Sequence, residues 1–298
     1  MRLNRFLAAA GLGSRRSCEE LILKGSVSVN GSICRELSTR IAEGDDVRVS
    51  GRLIHAFATR TILLNKPAGY TTTRSDRHAE RTIFDLLPTD TGHLFHVGRL
   101  DKESEGLLLL TNDGILAQDL MHPSKGIDKE YEVILDKPFS DRDAAALKRG
   151  TWIEGSVARV ESVRALGPTK IQIVLHQGLK RQIRVMLGQL GFKVQRLVRT
   201  RLGPLTLRGV KPGSYRDLRK EDLEMLRKAL AAPKPKRPAP PPRPKAMKFS
   251  RFTVIPASAK TGTSSGKAES SKGGATARRP RKTSPTGARI KKREASKG

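Results

Sequence analysis

Near the start of the chain, apolar residues recur at helical spacing: Leu3, Phe6, Leu7 and Ala10, with Gly11 and Gly13 ending the helix. Ser14 or Ser17 can cap a second helix, with Glu20 three residues after Ser17 in capping-box spacing, and Gly25 closes it. Val27 and Val29 then alternate, Asn30-Gly31 is a strong hairpin signal, and Asp45-Asp46 leads into Val47-Arg48-Val49. Residues 1–50 therefore read as two short helices followed by small strands. From about residue 60 strand-like runs appear at 62–64, 106–111, 131–135, 158–163 and 171–175. Helical spacing marks 114–122, 141–149, 180–190 and 220–230. These helices do not alternate regularly with the strands. Residues 60–230 thus predict an α+β domain on a mixed, largely antiparallel sheet, rather than a doubly wound parallel one. Asn112-Asp113-Gly114 reads as a turn after the 106–111 strand.

The pattern stops at the C-terminal end. The run Pro233-Lys234-Pro235-Lys236-Arg237-Pro238 and its continuation to Pro244 cannot pack and favours an extended, polyproline-like chain. Beyond it, Ser, Gly, Thr, Lys and Arg lack the apolar content to offset ordering entropy, so residues 232–298 predict a disordered basic tail. Two roles are open for it, a sequence-independent hold on phosphates or simple solubilisation.

Charge sharpens the picture. The chain carries 58 Lys and Arg against 29 acids, a formal net charge of +29. Beyond residue 232 lie 19 of those cations and only Glu269 and Glu294 as acids, so +17 belongs to the tail and +12 to the remainder. A cationic folded part and a cationic tail together point to nucleic acid. The absence of a long apolar run or an amphipathic basic helix argues against a membrane partner. The first eleven residues carry a faint likeness to a secretion signal. Their apolar core is interrupted early, however, and the expectation is an amphipathic helix of a cytoplasmic protein. Cys18 and Cys34 fit neither a zinc site nor a disulfide scaffold, and read as two reduced thiols. The six histidines show no metal-ligand spacing, and no Gly-rich nucleotide loop is present, which points to chemistry without metal or cofactor.

The most informative stretch is His96-Val97-Gly98-Arg99-Leu100-Asp101, followed by Glu105-Gly106 and Leu107 to Thr111. It places an arginine and an aspartate two residues apart on a loop beside an apolar strand. In a strongly cationic chain, such a carboxylate fits acid or nucleophile chemistry on a polyanion. An ordinary surface ion pair is the alternative for that triplet taken alone.

Residues 1–50 resemble the S4 RNA-binding domain, through Arg2-Leu3, Ala9-Ala10-Gly11, Ser14-Arg15-Arg16, Ile22, Gly25, Val27-Ser28-Val29-Asn30-Gly31 and Asp46-Val47. The likeness implies that Arg2, Arg5, Arg15, Arg16 and Lys24 grip RNA, with arginines at helix starts where backbone N–H groups also meet phosphates. The rest resembles the RsuA/RluB-type pseudouridine synthases, through Leu64-Asn65-Lys66-Pro67-Ala68-Gly69-Tyr70, Val97 to Asp101, Gly106 to Gly114, His122-Pro123, Lys129 to Val133 and Lys180-Arg181-Gln182-Ile183-Arg184. The last segment lies closer to the RluA branch. Together the two likenesses cover about residues 1–230.

The resemblance implies cofactor-free isomerisation of a uridine in ribosomal RNA, with the large subunit favoured, and Asp101 as the catalytic carboxylate. It implies that Tyr131 packs against the target uracil, a role that stacking on an extruded base would suit; a plain core tyrosine is the other reading. It implies that Arg99 holds the RNA backbone or fills the space of the extruded base, against a structural ion pair with Asp101 or Glu105. It implies that Arg184 is the cation that pairs with Asp101. Helical spacing sets Arg184 on the flank of the face formed by Ile183, Met186, Leu187 and Leu190, with Arg181 pointing away; a solvated helix charge is the alternative. Lys66-Pro67 is expected to shape the loop facing the cleft, a mainly structural part. The expected partner is ribosomal RNA or a pre-ribosomal particle, with the protein a monomer. Two rival readings remain: a non-catalytic RNA-binding or ribosome-assembly factor on the same fold, and a synthase acting on transfer RNA.

Overall fold

A computed structural model describes residues 1–232 apart from Ser75, Arg77 and Glu154. The basic tail expected at 232–298 lies, beyond Ala232, outside the described residues. Two helices open the chain, α1 (Leu3–Ala9) and α2 (Arg15–Leu23), followed by β1 (Val27–Val29), β2 (Ser32–Cys34), β3 (Val47–Val49) and β4 (Arg52–Leu53). These strands form a four-stranded sheet in the order β2-β1-β3-β4, with β1 antiparallel to both neighbours. Leu3, Leu7, Cys18, Ile22, Val27, Ile41 and Val47 make its small core. The cap of α2 is Ser14, whose hydroxyl accepts from the Ser17 N–H at 3.1 Å. Ser17 lies inside the helix and donates back to Ser14 O at 2.9 Å, so the alternative cap with Glu20 does not form.

A second, larger sheet follows. Its strands are β5 (Thr61–Lys66), β6 (Phe95–Val97), β7 (Glu105–Thr111), β8 (Lys129–Leu135), and then, after the separate hairpin β9 (Thr151–Ile153) and β10 (Ser156–Ala158), β11 (Ser162–Ala165), β12 (Lys170–Leu175), β13 (Val194–Leu202), β14 (Leu205–Thr206) and β15 (Tyr215–Asp217). The order is β11-β12-β8-β13-β7-β5-β15, with β6 against β7 and β14 against β13. Only β7 and β13 pair in parallel among the described strands, so the sheet is mixed and largely antiparallel, as the irregular order of helices and strands predicts. The expected strand at 158–163 is in fact broken, because β10 ends at Ala158 and β11 starts at Ser162.

The helices are α3 (Gly114–Met121), α4 (Asp141–Arg149), α5 (Gln182–Gln189) and α6 (Lys220–Ala231). One face of the sheet packs Ile62, Leu64, Leu108, Leu110, Val133 and Ile173 against Ile183, Met186 and Leu187 of α5. The other packs Leu63, Leu107 and Leu109 against Leu116 and Leu120 of α3 and Leu226 and Leu230 of α6. Coverage on both faces explains why β5 and the leucine run of β7 are buried residue after residue, while β8 and β12 alternate. At about 25 cal/mol per Å² of apolar surface removed from water, this two-sided burial is the main stabilising term. The Asn112-Asp113-Gly114 segment is a helix start rather than a free turn: the Asp113 carboxylate accepts from the N–H groups of Ile115 and Leu116 at 2.9 and 3.0 Å. No helix among the described residues is long and apolar enough to cross a membrane.

Candidate active site

The loop 98–104 joins β6 to β7, and its neighbours hold it from several sides. Leu100 is inserted into the apolar cluster on the α5 face. The buried Thr72 hydroxyl donates to Leu100 O at 2.8 Å and accepts the Leu100 N–H at 3.3 Å. The Gly69 N–H donates to Lys102 O at 2.8 Å, and the Ser104 N–H to Asp101 O at 3.0 Å. His96 Nδ1 lies 2.9 Å from Gly98 O.

Beneath the loop sits Lys66, the last residue of β5 and fully buried. Its ammonium donates to Pro67 O at 3.0 Å, Lys102 O at 3.2 Å and Ser104 O at 2.7 Å. Burial pushes its pKa down to about 8, opposed by Glu105, Asp101 and Glu103. Pro67 offers no N–H and so ends the strand at this point.

This packing leaves the Asp101 side chain 35% exposed. The cation at its carboxylate is Arg181, with Nη1 3.9 Å from Oδ2; the same atom is 3.3 Å from Glu103 Oε2. Arg184 does not form the pair expected of it. Its Nη1 donates to Val194 O at 3.1 Å, and its Nε is buried without a partner. Burial and Arg181 push the Arg184 guanidinium below its ordinary value, and Glu103 and Asp101 oppose that shift. The exchange has a simple cause. α5 begins at Gln182, not Lys180, and Arg181 is the residue before it, in left-handed backbone at φ 52°. A helical wheel therefore does not describe Arg181, which turns back toward the loop.

Arg99 is exposed and has no ion pair among the described residues. Glu105, one of its suggested partners, is held by Arg196 at 2.8 Å, which also keeps that carboxyl below its usual range. Tyr131, on β8, is 8% exposed and belongs to the same apolar cluster as Leu100. Its Cα partners are Ile173 on one side and Arg199 on the other.

In the first 50 residues, Arg2, Arg15, Arg16 and Lys24 stay exposed, with no ion pair among the described residues. Arg5 differs: it is half-buried, and a side chain at Gly114 would meet its Nη2 at 3.6 Å, so it reaches toward the start of α3. Among the described residues no group of three or more His, Cys, Asp or Glu side chains is gathered that could hold a metal ion. The expectation that Lys66-Pro67 shapes the loop leaves out the carbonyls that Lys66 grips, and the clasp of Thr72 and the position of Arg181 beside Asp101 have no counterpart in the sequence reading. Only Lys66 carried a signal, a lysine ending an apolar strand just before a proline.

Known proteins are similar to this chain in sequence and fold. Residues 60–189 match the RNA pseudouridylate synthase family, and residues 1–47 match the S4 domain. The chain is 36% identical over 236 residues to an uncharacterized RNA pseudouridine synthase of Aquifex aeolicus (strain VF5), covering 77% of this chain and 95% of that protein. It is 37% identical over 244 residues to the ribosomal large subunit pseudouridine synthase B of Xylella fastidiosa (strain Temecula1 / ATCC 700964), covering 77% of this chain and 51% of that one. A solved structure described as a pseudouridylate synthase is similar with a TM-score of 0.56 at 26% identity, over 76% of this chain and 99% of its own. With both segments matched in order and a relative aligned over nearly its whole length, the chain belongs to the RNA pseudouridine synthases that carry an S4 domain.

Proposed function

We propose that this synthase isomerises one uridine of large-subunit ribosomal RNA to pseudouridine, without a cofactor and in the cytoplasm, and that Asp101 is its catalytic carboxylate. The reaction breaks the N1–C1′ bond, turns the base and joins C5 to C1′; the C5 proton leaves to solvent and N1 takes one up. Asp101 acts on the extruded nucleotide as nucleophile or as base. Tyr131 replaces the stacking the base loses when it leaves the helix. Exposed and unpaired, Arg99 meets the RNA backbone or the space vacated by the base. Arg181 and Arg184 supply positive charge beside a substrate whose phosphates are negative, and Arg2, Arg15, Arg16 and Lys24 grip structured RNA away from the cleft.

The observation that carries this reading is the loop 98–104: hydrogen bonds from Lys66, Thr72 and Gly69 hold its backbone while the Asp101 side chain stays partly open beside a cation. Preorganisation of this kind is what catalysis requires and what a pure RNA binder has no use for. The ribosomal substrate is supported by the name of the Xylella relative. The test is to incubate the protein with an unmodified transcript of large-subunit ribosomal RNA and map the pseudouridines. One discrete site is expected. Modification of transfer RNA alone would overturn the substrate assignment.

A further inference from the structure

Among the described residues, no helix or strand of residues 1–53 packs extensively against the larger sheet, and the chain passes from one to the other through the connecting segment 54–60. At its centre is Phe57, an aromatic residue left 51% exposed. Its ring is stacked on His93, with centroids 4.4 Å apart and planes 22° apart. Its N–H donates to Ala9 O, at the end of α1, at 3.3 Å. The ring edge also rests on Gly11: a Cβ there would lie 2.8 Å from Phe57 Cε2, and Gly11 itself has φ 80°. One side chain thus touches both the turn that ends α1 and the loop that enters β6.

Each side of this contact is anchored. The carbonyls flanking His93, those of Gly92 and Leu94, accept from the Arg74 guanidinium. From His93 the chain runs through β6 directly into the Asp101 loop. After Phe57, Asn112 takes Ala58 O at 2.8 Å and the Arg60 N–H at 2.7 Å, and Arg60 pairs with Asp217 at 2.7 Å and Asp90 at 2.9 Å. The reach of Arg5 toward Gly114 adds a second crossing between the two parts.

We propose that Phe57 is a specificity-determining latch: clamped between Gly11 and His93, it holds the S4 part at a fixed spacing from Asp101, so that the RNA feature gripped by Arg15 and Arg16 selects which uridine reaches the carboxylate. The proposal rests on the reading of the chain as an RNA synthase that uses the S4 part to bind its substrate. A fixed spacing raises the effective concentration of the second RNA contact once the first has formed, and a loose tether lowers it. The latch therefore acts on substrate capture and site choice, not on bond making.

The test uses the full chain with an unmodified large-subunit transcript labelled with tritium at uridine C5. Tritium release gives kcat and KM, and sequencing maps the sites. Phe57→Ala is expected to raise KM by about 3- to 10-fold, the scale of one aromatic pair, to leave kcat within about 2-fold and to add secondary sites. Phe57→Tyr keeps the ring and is expected to restore wild-type KM and a single site. A Phe57→Ala protein with wild-type KM and a single site would overturn the latch. So would a fall in kcat and melting temperature with KM unchanged, which would make Phe57 a folding residue. If the wild type acts on transfer RNA instead, the ribosomal assignment fails, and the same comparison on transfer RNA still decides the latch.

Discussion

Lys66 presents three N–H donors to three carbonyl acceptors, and two of those carbonyls belong to the loop that carries Asp101. A neutral amine has only two donors, so deprotonation frees one carbonyl and loosens the loop. Its pKa of about 8 puts that event within the working pH range of an enzyme. Turnover is expected to fall as pH rises through about 8. Folding stability moves the other way. Between about 8 and 10.5 the unfolded chain keeps the proton that the folded chain has lost, so this group's contribution to stability rises with pH. Lys66→Met separates the two effects. Unsatisfied carbonyls cost about 1–3 kcal/mol each, but removal of a buried charge offsets a cost of the same order. Melting should shift little, whereas a loop displaced by about 1 Å costs roughly 100-fold in kcat. A kcat within twofold of wild type, measured by tritium release, would contradict this role. The sequence marks Lys66-Pro67 as shaping the loop but not how: besides the adjacent Pro67 O, the lysine's partners are 36 and 38 residues away, beyond any local pattern.

Among the elements, β13 was the least legible. Val-Gln-Arg-Leu-Val-Arg-Thr-Arg-Leu has cations at positions 196, 199 and 201, which hide its alternation, and its register slips twice against β8. Arg199 is 4% exposed, and its Nε donates to Leu107 O at 2.7 Å, so a charge in the sequence is part of the interior. The strands β6, β14 and β15 are two or three residues long and leave no periodic trace. By contrast the leucines of β7 and the alternation of β8 and β12 are plain, because tertiary burial and local pattern agree there. β7 meets β13 at Gly106, where φ is 104° and a Cβ would fall 2.3 Å from Arg199 O. Neither backbone can give way cheaply. Gly106→Ala is expected to lower stability by more than about 2 kcal/mol, read from urea unfolding. A loss below about 0.5 kcal/mol would show that the crossing is not as tight as described.

Across the whole molecule, binding and chemistry are distributed differently. Positive charge is spread over the S4 helices, the surroundings of Asp101 and the C-terminal segment, so under the proposed function no single side chain would carry the hold on RNA. Bond making, in contrast, is assigned under the proposed function to one carboxylate, Asp101, on one locked loop. The two-part organisation, the mixed sheet and the Asp101 loop could be read from the order of motifs. The partner of Asp101 could not, because it depends on where α5 begins. The most direct measurement is Asp101→Asn, an isosteric change that keeps the loop, assayed for tritium release from C5-labelled RNA and for RNA affinity on the same preparation. Release is predicted to fall by at least roughly 100-fold while affinity stays within about 3-fold. Turnover near the wild-type rate would contradict the assignment of this carboxylate as the catalytic group.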